Sequence, residues 1–158
     1  GDEPFAVVLA DDLCDCDEDG VTSQMIEIYN QHQCSVVAIE EVPMNQTHKY
    51  GIIAGKQIEN SNDTFLVTDM IEKPEQKNAP SNMAIIGRYI LTPDIFNILK
   101  NIKPDNNGEI QITDALLVQA KQAKVIAYKF KGRRFDCGSV KGYLEATNYY
   151  ANKLSINI

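Results

Sequence analysis

Tryptophan is absent from this chain of 158 residues, histidine occurs twice and cysteine four times. His32 and His48 stand alone, with no partner at triad or metal-ligand spacing, so neither receives a catalytic role. Cys14, Cys16, Cys34 and Cys137 follow no disulfide framework, and Cys14-Asp15-Cys16 is too tight for the C-x₂-C arm of a zinc site. Reduced thiols are therefore expected, as in a cytoplasmic protein. Long apolar runs are missing too: Phe5 to Ala10 is far short of the ~20 residues that cross a bilayer, and no charged-then-apolar leader stands at Gly1. Positive charge is scarce. Fifteen Lys and Arg against 22 Asp and Glu leave a formal net charge of −7, which disfavours nucleic acid and anionic membranes as partners and better suits a cation such as Mg²⁺. Neither G-x-x-x-x-G-K-[ST] nor G-x-G-x-x-G occurs, which excludes a P-loop and a dinucleotide fingerprint.

What is present reads as one globular domain over residues 1–158, with 44% hydrophobic and 23% charged residues. Strand-like and helix-like patterns alternate. Phe5 to Leu9 is a short continuous apolar run, the pattern of a strand buried on both faces with neighbours on both edges. Further strands are expected at Ser35–Ile39, from Tyr50, over Phe65–Ile71, Met83–Leu91 and Val125–Phe130. Helical spacing marks Thr22–His32, a segment from Pro93 to about Ile102, Ile110–Gln122 and Gly142–Lys153, with a turn cluster at Pro104-Asp105-Asn106-Asn107-Gly108. This alternation predicts an α/β fold: a mixed, mainly parallel sheet with flanking helices, and antiparallel pairing where connections are short.

Several clusters compete for a chemical role. Asp15-Cys16-Asp17-Glu18-Asp19-Gly20 imitates the first half of an EF-hand loop, but Ile26 stands where the bidentate Glu belongs and a strand, not a helix, precedes it. An acidic surface loop is the better reading. Asp11 and Asp12 follow a buried strand directly, where open α/β sheets place their ligands, although Asp also serves as a helix cap or turn residue. Asp136 is a second strand-end acid with which Asp11 could share a cation; their spacing alone does not bring them together. Glu72-Lys73-Pro74 ends another strand with an acid and a base. Neighbouring strand residues point to opposite faces, so both reach one ligand only if the strand end bends. Lys129, Lys131 and Arg133 alternate along the last strand, more simply a solvated face than a phosphate-facing row.

Taken in order, the segments form a set. Pro4-Phe5-Ala6-Val7-Val8-Leu9-Ala10-Asp11-Asp12, Glu40-Glu41-Val42-Pro43, Lys49-Tyr50-Gly51-Ile52 and Glu72-Lys73-Pro74 come first. They are followed by Ala79-Pro80-Ser81-Asn82-Met83, Gly108-Glu109-Ile110-Gln111-Ile112-Thr113-Asp114 and Gly132-Arg133-Arg134-Phe135-Asp136-Cys137-Gly138. This ordered set resembles the bacterial UTP–glucose-1-phosphate uridylyltransferase family (UDP-glucose pyrophosphorylases) over nearly the whole chain.

The resemblance implies a nucleotide-diphospho-sugar transferase (Rossmann-like) fold and a Mg²⁺-dependent nucleotidyltransferase. In the reaction this resemblance implies, glucose 1-phosphate attacks the α-phosphorus of UTP, giving UDP-glucose and pyrophosphate. It implies Asp11 and Asp136 as metal ligands, Glu72 as acceptor for glucose hydroxyls, Lys73 as the cation against the phosphates, and Gly51 as a place where backbone approaches the sugar. The family's Gly-rich G-x-G-T-R loop, with the uracil and ribose contacts, has no counterpart here, so the chain resembles the family's carboxyl-terminal portion. Two expectations follow: little turnover by the chain alone, and self-association or pairing with an amino-terminal half through an unpaired strand edge. The alternatives are a sugar-1-phosphate nucleotidyltransferase using another base or sugar, and a non-catalytic module that binds sugar phosphate or regulates a paralogue.

Overall fold

The computed structural model describes residues 1–105 and 107–156. Eight strands and four α-helices follow in the order β1 (Phe5–Val8), β2 (Asp12–Asp15), α1 (Val21–His32), β3 (Ser35–Glu41), β4 (Gly51–Gln57), β5 (Thr64–Glu72), β6 (Met83–Leu91), α2 (Ile95–Leu99), α3 (Ile112–Ala120), β7 (Val125–Lys129), β8 (Arg133–Asp136) and α4 (Val140–Lys153). Six strands form the main sheet in the order β1-β6-β3-β7-β5-β4, while β2 and β8 pair as a separate two-stranded ribbon.

Period-2 alternation in the central strands explains the layering. In β3, Val37 and Ile39 face one core with Ile95, Leu116 and Ala120 of α2 and α3. Their neighbours Val36 and Ala38 face a second core with Val21 and Met25 of α1. Ile85 and Ile86 of β6 divide in the same way. A sheet covered on both faces has no polar side, which is why these strands read as continuous apolar runs. Helix α1 ends where Gln33 takes a left-handed φ of 53° and its N–H bonds the Tyr29 carbonyl at 2.7 Å.

Three expectations need correction. The mixed sheet with flanking helices is present, but it is not mainly parallel: β3–β7 is parallel, while β1–β6, β3–β6, β4–β5, β4–β6 and β5–β7 are antiparallel. The β4–β5 connection is too short for a crossover, and β6 returns antiparallel to both β1 and β3. β1 is not buried on both faces. Phe5 and Val7 pack on the core, Ala6 and Val8 are exposed, and among the described residues the strand pairs only with β6. Finally, the helix expected from Pro93 to Ile102 is regular only over Ile95–Leu99. In the turn cluster, Asn106 lies outside the described residues, while the Gly108 N–H bonds the Asp105 carbonyl at 3.0 Å.

The acidic stretch after β2 is held by α4. Lys153 Nζ lies 2.5 Å from Asp15 Oδ2 and 2.8 Å from Asp17 Oδ1, and the Tyr149 hydroxyl donates to Asp15 at 2.6 Å. The Lys153 bond, then the Tyr149 bond, hold the Asp15 carboxyl below its usual value. A depressed carboxyl pKa gives stability that is present above the unfolded pKa and is lost as pH falls through the folded one. Asp15→Asn is therefore expected to lower Tm at pH 7, with the difference from wild type shrinking as pH drops below about 4. A Tm difference that stays constant from about pH 7 to about pH 2.5 would contradict this.

The four cysteines are free, and no helix among the described residues is long and apolar enough to cross a membrane.

Candidate functional site

A cleft of about 420 Å³ opens where β1, β5 and β8 end, β4 begins and α3 starts. Asp11, Gly51, Glu72, Lys73 and Asp136, the residues that the family resemblance implies, all line it. Lys129, Lys131 and Arg133 do not. Lys129 pairs with Glu41 at 2.7 Å, and the Arg133 guanidinium lies 4.7 Å from the Phe135 ring centroid.

The β2–β8 ribbon brings Asp11 and Asp136 together. Asp12 pairs with Asp136 across it, and Leu13, Cys14 and Asp15 with Phe135, Arg134 and Arg133. The Cys137 N–H donates to the Asp11 carbonyl at 2.7 Å, extending the pairing by one step. A Cβ on Gly138 would stand 3.0 Å from Asp11 Oδ2 and 3.2 Å from Asp136 Oδ1, so both carboxylates flank one point above a residue that has no side chain. Neither acid forms an ion pair among the described residues.

Asp12 differs from Asp11. It is buried, accepts from Arg134 Nε at 2.5 Å through Oδ1, and accepts from the Gly87 N–H at 2.7 Å through Oδ2. Of the two acids that the sequence places side by side, one is neutralised inside the fold and the other is presented to the cleft. Burial pulls the Arg134 guanidinium down, but bonds to Tyr50 and Asp12 outweigh it and hold the group above its ordinary value.

Across the cleft, Gly51 pairs with Glu72 in the β4–β5 ladder. The Thr113 hydroxyl at the start of α3 donates to Glu72 Oε2, and Oε1 lies 3.8 Å from Lys73 Nζ. The bend that would let Glu72 and Lys73 serve one ligand is present: Lys73 has a left-handed φ of 44°, and its N–H bonds the Tyr50 carbonyl at 2.9 Å. Lysine rarely adopts this conformation, and here it carries the chain out of strand geometry. At the back of the cleft, burial first, then the charges of Glu72 and Asp12, push the Tyr89 hydroxyl up to about 12, so it remains neutral.

The donor set suits a hard cation. Two carboxylates carry oxygen ligands, and Mg²⁺ is typically held by one or two carboxylates with substrate phosphate and water completing the shell. Among the described residues no group of three or more His, Cys, Asp or Glu is placed to form an all-protein cage. Thr113, Arg134 and Tyr50 were not singled out from the sequence. The first is one hydroxyl in an ordinary helix start, and the other two depend on the fold to meet.

Known proteins resemble this chain over nearly its whole length. A Pseudomonas aeruginosa protein named UTP–glucose-1-phosphate uridylyltransferase is 61% identical over 150 residues, which is 94% of this chain and 53% of that protein. A crystal structure of a UDP-glucose pyrophosphorylase complexed with UDP-glucose superposes with a TM-score of 0.91 at 57% identity, covering 97% of this chain and 58% of that one. A UTP-bound UGPase from Acinetobacter baumannii gives a TM-score of 0.81 at 36% identity, over 97% and 52% of the two chains. The chain thus spans about half the length of the relatives it matches. The family profile described as nucleotidyl transferase matches residues 1–153. With nearly every residue inside that match, the chain belongs to the nucleotidyl transferase family.

Proposed function

We propose that this chain supplies the sugar-binding and metal-binding side of a UTP–glucose-1-phosphate uridylyltransferase, which forms UDP-glucose and pyrophosphate from UTP and glucose 1-phosphate. One observation carries the reading: Asp11 and Asp136, 125 positions apart, meet in the same cleft as Gly51, Glu72 and Lys73. The names of the matched relatives and the UDP-glucose in one of their complexes support the choice of nucleotide and sugar.

Each residue has a defined task in this reading. Glu72 accepts hydrogen bonds from glucose hydroxyls, and the Thr113 hydroxyl on Oε2 fixes the carboxylate plane. Lys73, pointed by its left-handed turn, places an ammonium against the phosphate of glucose 1-phosphate. Gly51 lets the sugar approach the backbone. Asp11 and Asp136 would hold Mg²⁺, which when bound offsets the charge on the crowded phosphates. A phosphate oxygen of glucose 1-phosphate forms a bond to the α-phosphorus of UTP while the bond to pyrophosphate breaks, so the chain needs no nucleophile of its own. Its contribution is positioning and fixed charge.

The test uses the full-length protein that contains this chain. With UTP, glucose 1-phosphate and Mg²⁺ it should release pyrophosphate and form UDP-glucose, and slow strongly when Mg²⁺ is chelated. Pyrophosphate released faster with dTTP or ATP would move the reading to another nucleotide. No release with any nucleotide would leave only a binding or regulatory module. The chain alone, mixed with a separately produced amino-terminal half, should regain activity and sediment as a larger species than either piece.

Gly51 gives a sharper check on the sugar side. A Cβ there would stand 3.1 Å from Glu72 Oε2 and 3.3 Å from Ile85 Cδ1, so a methyl displaces the carboxylate rather than filling a void. Gly51→Ala in the full-length protein is expected to raise KM for glucose 1-phosphate about tenfold, a loss of about 1.4 kcal/mol, with KM for UTP nearly unchanged. Equal effects on both KM values would argue against a sugar-side location.

A further inference from the structure

The two ends of the cleft are built on different sheets. Asp136 lies in β8 and Asp11 directly precedes β2 of the ribbon, while Gly51 and Glu72 lie in β4 and β5 of the main sheet and Lys73 directly follows β5. No strand ladder joins the ribbon to that edge among the described residues. A metal at one end and a sugar phosphate at the other react only if the two sheets keep a fixed separation, and ~1 Å of error can lower a rate ~100-fold. Some connection between them must set that distance.

Arg134 spans the gap. Its side chain, 7% exposed, leaves β8 two residues before Asp136. Nε donates to Asp12, the neighbour of Asp11, whose other oxygen is tied to the Gly87 N–H of β6. Nη1 lies 3.4 Å from Glu40 Oε2 at the end of β3 and 3.5 Å from the Tyr50 hydroxyl. The guanidinium carbon stands 5.2 Å from the Tyr50 ring centroid, within cation–π range. Tyr50 in turn is bonded to the sugar side, since its carbonyl accepts from the Lys73 N–H and its next residue is Gly51.

We infer that Arg134 is a positioning residue that, through Asp12 and Tyr50, holds the metal-bearing ribbon in register with the sugar-facing strands. The inference rests on the site reading proposed above. It assigns Arg134 no contact with substrate. The planar guanidinium matters because it bonds one carboxylate while stacking on an aromatic ring, which a lysine ammonium does not reproduce.

This arrangement predicts effects that cross the cleft, measured in the full-length protein with each ligand added alone and no turnover. Mn²⁺ binding is followed by water-proton relaxation, glucose 1-phosphate binding by titration calorimetry and folding by Tm. Tyr50→Leu keeps an apolar side chain against Val42, Ile52 and Ala84 but removes the ring. It should weaken Mn²⁺ binding about tenfold, although Tyr50 is no metal ligand, with little change in Tm. Tyr50→Phe, which keeps the ring, should restore Mn²⁺ affinity to within about twofold of wild type. Arg134→Lys keeps a cation for Asp12 and should weaken glucose 1-phosphate binding severalfold as well as Mn²⁺ binding. If Arg134→Lys fails to fold, the Tyr50 pair decides alone. Mn²⁺ affinity within about twofold of wild type in Tyr50→Leu overturns the inference and leaves the site reading standing. A wild-type protein that binds neither Mn²⁺ nor glucose 1-phosphate overturns both.

Discussion

Asp136→Asn in the full-length protein is expected to lower kcat for UDP-glucose formation about 1000-fold. A metal ion on developing phosphate charge contributes several kcal/mol, and about 4 kcal/mol corresponds to that factor. The substitution keeps the shape of the side chain. It also keeps the backbone bonds around it, in which the Asp136 carbonyl accepts from the Ser139 N–H at 3.3 Å and from the Ser139 hydroxyl at 3.0 Å. Tm should therefore change little, and high Mg²⁺ should recover part of the loss by refilling a weakened site.

Asp12→Asn supplies the contrast, because Asp12 lies one residue from Asp11 and directly across the ribbon from Asp136. It leaves Arg134, 7% exposed, without its closest anionic partner, so the expected effect is on stability, about 3 kcal/mol, comparable to breaking a buried ion pair. High Mg²⁺ should not restore the lost Tm. Steady-state kinetics over a Mg²⁺ series, with thermal melts of both variants, check this pair of outcomes. Wild-type turnover in Asp136→Asn would remove Asp136 from the proposed metal site, and a wild-type Tm in Asp12→Asn would show that its ion pair with Arg134 does not support the fold.

This difference between adjacent aspartates marks where sequence reading stops. β3, β6 and β7 were legible because a strand covered on both faces must be apolar through its central stretch, and Val36–Ile39, Met83–Ile86 and Val125–Tyr128 are. β2 and β8 were not, because each is four residues long and charged at both ends, with no alternating apolar pattern. The available signal was complementary charge, Asp12 and Asp15 on one segment and Arg133 and Arg134 on the other. That signal becomes specific only once pairing brings the segments together. The ribbon is nevertheless what makes Asp11 and Asp136 neighbours, so family resemblance could couple the two acids where spacing leaves them far apart. Glu72 and Lys73 were legible as a pair and doubtful as a joint site, since a regular strand would send them to opposite faces. The left-handed turn at Lys73 resolves this, and nothing in Glu72-Lys73-Pro74 announces it. The mainly parallel expectation failed because strand–helix alternation sets the composition of the layers, whereas direction depends on which strands become neighbours.

Gly142→Ala tests the support beneath the same ribbon and is expected to destabilise the fold by about 2 kcal/mol or more. Gly142 lies in the first turn of α4, where its N–H donates to the Ser139 cap hydroxyl at 3.0 Å. A Cβ there would overlap the Asp136 carbonyl oxygen and stand 2.7 Å from the carbonyl carbon. Alanine favours a helix interior over glycine by about 1 kcal/mol, so propensity alone would make the variant more stable. The clash opposes this gain, because the obstructing atoms are backbone and have no rotamer to escape into. Forced overpacking typically costs about 1–3 kcal/mol, and this contact is more severe than a single extra methylene in a core. For a domain of this size the net loss corresponds to a fall in Tm of several degrees. The same substitution at Gly20, before α1, meets nothing within 4 Å and should cost under about 1 kcal/mol, giving a matched control. Because the obstructed carbonyl belongs to Asp136, any relief of the clash moves the proposed metal end of the cleft, so Gly142→Ala should lose Mn²⁺ affinity as well as Tm, whereas Gly20→Ala should keep its Mn²⁺ affinity and nearly all of its Tm. A Gly142→Ala protein with wild-type Tm and Mn²⁺ affinity would mean that α4 sits farther from β8 than this contact requires, and the placement of Asp136 would fall with it.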